Sequence, residues 1–110
     1  MFKKTERLSR SEFATFFKSG ERYNSPFLTL VYTNHKRLHC SVVVSKKVAK
    51  KAHDRNKLRR RVYGKLHNKL KSSTTGVFIV LLKPSFATLT KQEQTEEVQK
   101  ILSRITMSSN

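Results

Sequence analysis

The sequence is poor in the residues that staple or punctuate a chain: 110 residues contain one cysteine, two prolines, three glycines and no tryptophan. With Cys40 alone, no internal disulfide can form. Long apolar runs are missing as well. The longest, Val77 to Leu82, has the length of a strand, far short of the roughly 20 residues of a spanning helix. Met1-Phe2-Lys3-Lys4-Thr5-Glu6-Arg7 is charged, and no apolar stretch of the signal-peptide kind follows it, so a cytoplasmic location and no membrane partner are expected. The scarcest class is acid: 7 Asp and Glu stand against 24 Lys and Arg, a formal net charge of +17.

Each shortage removes a chemistry. Two-metal hydrolysis needs clustered carboxylates, and the one dense acidic group, Glu93, Glu96 and Glu97, opens a helical pattern where it suits the helix dipole. Structural zinc needs four ligands at recognisable spacing. His35, His39 and Cys40 lie close together but have no second cluster, and His53 and His67 stand apart on a basic stretch. No catalytic residue and no metal ligand is therefore assigned to this chain.

What is present fits one domain: 110 residues of which 36% are hydrophobic, enough for a single modest core. Ser9-Arg10-Ser11-Glu12 has the form of a capping box, with Leu8 and Phe13 spaced as a hydrophobic staple, and predicts a helix over about Arg10 to Ser19. Gly20 is expected to end it in a left-handed conformation. The runs Phe27 to Thr33 and Leu38 to Ser45 read as strands, with Asn34 to Arg37 as a hairpin loop between them, and Tyr23 to Pro26 could add a short strand or turn. Leu58, Val62, Leu66 and Leu70 recur every four residues and mark a second helix. The polar segment Lys71 to Gly76 reads as a loop, Val77 to Leu82 as a buried strand, and Lys83-Pro84-Ser85 as its break. Thr90 and Glu93 form a second capping box before a last helix with Val98, Ile101, Leu102 and Ile105 on one face, fraying from about Thr106. The sum is a single-domain α+β sandwich.

The excess charge is concentrated. Lys46 to Arg61 spans 16 residues with nine Lys or Arg and one acid, Asp54. A domain this positive repels itself unless something negative binds it, and nucleic acid is the densest line of negative charge available. Arg55, Arg59, Arg60 and Arg61 add planar forks that pair with phosphate and stack on bases. Solvated helix faces usually mix signs, and this one does not. The first helix carries Phe13, Phe16 and Phe17, more aromatic surface than one narrow face usually buries. Phe13 and Phe17 share a side and could stack on unpaired bases, with Phe16 more deeply packed.

Ser45-Lys46-Lys47 followed by Ala52-His53-Asp54-Arg55-Asn56-Lys57-Leu58-Arg59-Arg60 resembles the signature of the bacterial ribonuclease P protein. Leu8, Phe13, Phe17 and Gly20, the strand before Lys83-Pro84 and the terminal helix extend the resemblance over about residues 5 to 105. It implies the order αβββαβα with a left-handed βαβ crossover, a fold shared with the second domain of a small-subunit ribosomal protein. It also implies a division of labour. A catalytic RNA holds Mg²⁺ and cleaves; the protein binds that RNA and the single-stranded 5′ leader of precursor tRNA, whose removal leaves the mature 5′ end. No homo-oligomer is required. Carried over residue by residue, Lys46, Lys47, Arg55, Asn56, Lys57, Arg59 and Arg60 would contact the RNA subunit, joined by Arg61, which is basic where the family often varies; Phe13 and Phe17 would line the leader cleft, with Phe27 as a third. Lys57 stands where Arg is usual, and Tyr63 where a basic residue is frequent.

Three other readings compete. A ribosomal or ribosome-assembly protein would share size, charge and RNA partner but need no leader cleft. A DNA-binding regulator lacks helix-turn-helix spacing here. A nuclease acting alone lacks the carboxylates.

Overall fold

The computed structural model describes residues 8–70 and 75–108. Helix α1 (Arg10–Ser19) starts with the expected reciprocal cap: Glu12 N–H donates to Ser9 Oγ at 3.3 Å, and Ser9 N–H donates to Glu12 Oε1 at 3.0 Å. Leu8 and Phe13 pack on the same sheet face beneath the helix, as a staple requires. Gly20 departs from expectation. Its backbone is extended, at φ −74° and ψ 157°, not left-handed. Glycine is needed there for space: a Cβ would run into the Val31 side chain and sit 2.8 Å from Thr33 Oγ1 and 2.9 Å from the Phe16 carbonyl oxygen. The end of α1 is thus pressed against the sheet.

Four strands follow: β1 (Glu21–Asn24), β2 (Leu28–Thr33), β3 (Leu38–Val43) and β4 (Gly76–Leu82). The order across the sheet is β1-β2-β4-β3. Residues 34–37 are therefore not a hairpin loop, because β4 lies between β2 and β3. It pairs antiparallel with β2 (Val31 opposite Ile79) and parallel with β3 (Ser41 opposite Ile79). The contiguous apolar run of β4 is the reason. A central strand is covered on both faces and wins the middle position, whereas β3, with His39 and Ser41, is left at the edge. Gly76, at φ +123°, enters β4 in a conformation that favours glycine, with the Tyr32 ring where a side chain would go.

Side chains alternate across the strands and divide the core in two. On one face Leu28, Leu30, Cys40, Val42, Phe78, Val80 and Leu82 meet Leu58, Val62 and Leu66 of α2 (Ala52–Lys69) and Val98, Ile101 and Ile105 of α3 (Lys91–Ser108). Phe86, on a 3₁₀ turn over Pro84–Thr88, is fully buried in this layer. On the other face Val31, Val77 and Ile79 are covered by Leu8, Phe13, Phe16 and Phe17. Because β3 and β4 are parallel, the chain must return between them, and α2 is that crossover. The second capping box forms as read, Glu93 N–H to Thr90 Oγ1 at 3.1 Å and Thr90 N–H to Glu93 Oε1 at 2.9 Å. Helix α3 continues to Ser108, past the expected fraying point. Residues 71–74 of the expected polar loop lie outside the described residues.

Candidate nucleic-acid interface

At about 100° per residue, every fourth position of α2 falls into a slowly turning stripe. Leu58, Val62 and Leu66 form the buried one. Arg55, Arg59 and Tyr63 flank it towards the free edge of β3, where the Val42 N–H donates to Tyr63 Oη at 3.1 Å. Lys57, Arg61 and Lys65 flank it towards α3. Arg61 Nη1 lies 3.4 Å from Gln94 Oε1, and Lys65 Nζ lies 2.6 Å from Thr95 Oγ1. Asn56 and Arg60 lie on the outward stripe and are exposed.

The basic residues singled out by sequence therefore do different jobs. Arg55 Nη1 donates to the carbonyls of Ala49 (3.1 Å) and Lys50 (2.7 Å), tying the loop after β3 to the first turn of α2. That loop turns through Lys46 and Lys47, both exposed, with Val48 N–H donating to the Ser45 carbonyl at 3.0 Å. Arg59 Nη1 donates to Asn56 Oδ1 at 2.6 Å, which fixes both side chains on the same ridge. A cavity of about 420 Å³ beside them is lined by His53, Asn56, Lys57 and Arg60. The loop lysines and the ridge thus form one basic surface at the N-terminal end of α2. Single Arg forks held by neutral acceptors keep their charge free for a phosphate.

The second feature lies on the opposite face of the sheet. None of the side chains of α1 is fully buried. Phe13 and Phe17 stack, with centroids 5.6 Å apart and planes at 24°. Phe16 turns the other way, edge-on to His35 at 5.5 Å, and His35 is edge-on to the buried His39 at 5.2 Å. Phe13, Phe16 and Phe17 are all half-buried. Phe27 requires a correction. It precedes β2 and packs against the α2–α3 layer, so it does not share the groove of Phe13 and Phe17. A residue not foreseen takes part instead: Arg22 of β1 places its guanidinium carbon 4.5 Å from the Phe17 centroid. Its position was hidden because register is needed to see that Arg22 sits opposite Val31, under α1.

No group of three or more His, Cys, Asp or Glu is arranged to hold a metal among the described residues. No helix among them is long and apolar enough to cross a membrane.

The chain thus pairs a basic ridge on one helix with stacked aromatic rings on the opposite sheet face. The family model of ribonuclease P matches residues 2–106. The chain belongs to the ribonuclease P protein family. The fold agrees. A Staphylococcus aureus RNase P protein, a mutant with defective mRNA degradation activity, superposes with a TM-score of 0.83 at 18% identity, covering 94% of this chain and 90% of that one. The RNase P protein from Thermotoga maritima superposes with a TM-score of 0.77 at 21% identity, covering 90% and 96%. No curated protein matches the sequence. Family membership makes the chain a subunit of a ribonuclease complex and implies an RNA component as its partner. With it, the contest with a ribosomal protein or a DNA regulator closes in favour of ribonuclease P.

Proposed function

We propose that this chain binds the catalytic RNA of a ribonuclease P through the basic surface of Lys46, Lys47 and α2, and the 5′ leader of precursor tRNA through the α1 groove. The complex removes that leader by endonucleolytic hydrolysis to give the mature 5′ end, in the cytoplasm. The observation that carries the reading is the Asn56–Arg59 pair beside exposed Arg60, within a chain of the ribonuclease P family. It is a cationic ridge with no carboxylate partner among the described residues.

Two contacts of different physics divide the work. The ridge supplies counterion release, which is strong and indifferent to sequence. The Phe13–Phe17 stack offers a sequence-tolerant surface for unpaired nucleotides, at about 1–3 kcal/mol per stacked base. Binding the leader and the RNA subunit at once would align the scissile bond with the RNA's reacting groups. Mg²⁺ would neutralise developing charge there. The reading places it on the RNA, whose phosphates suit a hard cation.

The test is reconstitution. Purified chain added to ribonuclease P RNA should restore precursor-tRNA cleavage at Mg²⁺ concentrations where the RNA alone is inactive. The chain alone should leave precursor tRNA intact. RNA-free cleavage by the protein that a single His or Glu substitution abolishes would overturn the reading.

A further inference from the structure

The stripe of α2 that faces α3 carries cations that form no ion pair among the described residues. Lys65 Nζ is held by Thr95 Oγ1 at 2.6 Å and lies 3.5 Å from the Lys91 carbonyl oxygen. Arg61 is aimed by Gln94, which is 2% exposed and is itself fixed by Nε2 hydrogen bonds to the carbonyls of Phe86 (3.2 Å) and Leu89 (3.4 Å). Lys91 is the first residue of α3, where the helix dipole is positive and a cation is unfavourable. None of the three forms an ion pair among the described residues. The Lys65 ammonium is held below its ordinary pKa by burial first, then by the charges of Arg61 and Lys91. Asp54 offsets only the N-terminal part of this flank, where it lines a cavity of about 190 Å³ with Lys57, Arg61 and Gln94.

We propose that the surface where α2 meets the start of α3 receives a phosphodiester strand of the RNA partner, held by Arg61, Lys65 and Lys91, as a contact separate from the Arg59–Arg60 ridge. The neutral acceptors Gln94 and Thr95 fix the donors without cancelling their charge, so the site is organised before RNA arrives. The two stripes leave α2 in different directions, one towards the β3 edge and one towards α3. A single strand on the ridge would leave the second set unanswered. Bound RNA phosphates would relieve the mutual repulsion of the three cations. The proposal rests on the RNA partnership argued above.

The experiment compares K65Q/K91Q with R59A/R60A in the full-length chain, measuring binding to ribonuclease P RNA from low to high salt together with thermal unfolding. In K65Q/K91Q the log–log salt slope should become less negative by about 1.5, the amount for two lost phosphate contacts. Its Tm should hold or rise, because like charges and a misplaced N-terminal cation are removed. That combination, weaker binding by a protein no less stable, is not what a structural role would give. An unchanged slope in K65Q/K91Q beside a flattened slope in R59A/R60A overturns this contact and leaves the ridge standing. Unchanged slopes in both overturn the RNA-binding reading itself. A fall in Tm for K65Q/K91Q with an unchanged salt slope also overturns the proposal, since the two lysines would then serve the α2–α3 contact through bonds such as Lys65–Thr95 and not RNA.

Discussion

The guanidinium carbon of Arg22 lies 4.5 Å from the centroid of Phe17, and Arg22 Nη2 donates to the Phe17 carbonyl oxygen at 3.4 Å. Phe13 is stacked on the same ring at 5.6 Å. Phe17 is thus the middle of a column of three flat groups, and the column is held from the sheet by Arg22. A nucleotide adding to it gains a π surface and a charge together. Phe17→Ala should lower affinity for precursor tRNA with a leader of several nucleotides and leave affinity for mature tRNA nearly unchanged. Arg22→Ala should show the same selectivity in smaller measure. Phe16→Ala should act on stability, by less than the about 3–5 kcal/mol of a fully buried Phe, because Phe16 is only half-buried. Equal loss of binding to both tRNAs in Phe17→Ala would return Phe17 to the core.

Much of this was legible in the sequence because it is local. The two capping boxes, the α1 range and the Leu58, Val62 and Leu66 stripe depend on residues within one or two turns of each other. What could not be read is what depends on sheet order. Once β4 inserts between β2 and β3, the supposed hairpin disappears, Arg22 moves beneath α1, and Phe27 joins the other layer. Gly20 shows the same limit at one residue. A helix-ending glycine suggests a left-handed cap, but the Val31 side chain, eleven residues on, is what requires it. On α2 the basic residues were recognised by type. The motif alone does not separate Arg55, which holds a loop, from Arg60, which faces outward.

Tyr63 departs from the family pattern, and the structure gives it a task. Strand β3 is a sheet edge, and its Val42 N–H would otherwise point at the side of α2 without a partner. Tyr63 Oη accepts it at 3.1 Å. Tyr63→Phe should destabilise the fold by about 1 kcal/mol. It should also speed exchange of the Val42 amide relative to its neighbours in β3, measured by NMR. No change in either would mean that the hydroxyl makes no net contribution.

The groove wall should loosen in acid. Glu12 is held below its ordinary carboxyl value of 4.5, chiefly by the hydrogen bond from the Ser9 N–H, then by that from the Ser9 side chain. A carboxylate lowered in the folded state stabilises it fully above the unfolded value, and that contribution is lost as pH falls through the folded one. The difference in Tm between the native chain and E12Q should therefore be constant near neutrality and shrink only below about pH 4.5. A gap that stays constant down to pH 2 would show that ionisation of Glu12 contributes nothing to stability.

The ridge gives the prediction on which the functional reading most depends. Arg59 and Arg60 flank the buried Leu58 and Val62 but carry none of the core. Among the described residues Arg59 is bonded only to Asn56 on its own helix, and Arg60 is exposed. Removing both leaves the apolar stripe and the strand-edge contact of Tyr63 in place. R59A/R60A should therefore unfold within about 1 kcal/mol of the native chain, the usual range for surface changes. Each phosphate contact removed should lower affinity for ribonuclease P RNA and reduce the log–log salt slope by about 0.7–0.9. Arg55→Ala is the instructive contrast. Its two hydrogen bonds to the Ala49 and Lys50 carbonyls hold the loop that presents Lys46 and Lys47. It should lose stability and RNA affinity together, and added salt should narrow only the second difference. If R59A/R60A stays folded with unaltered affinity and slope, the ridge is solvated surface and the RNA must bind elsewhere on this chain.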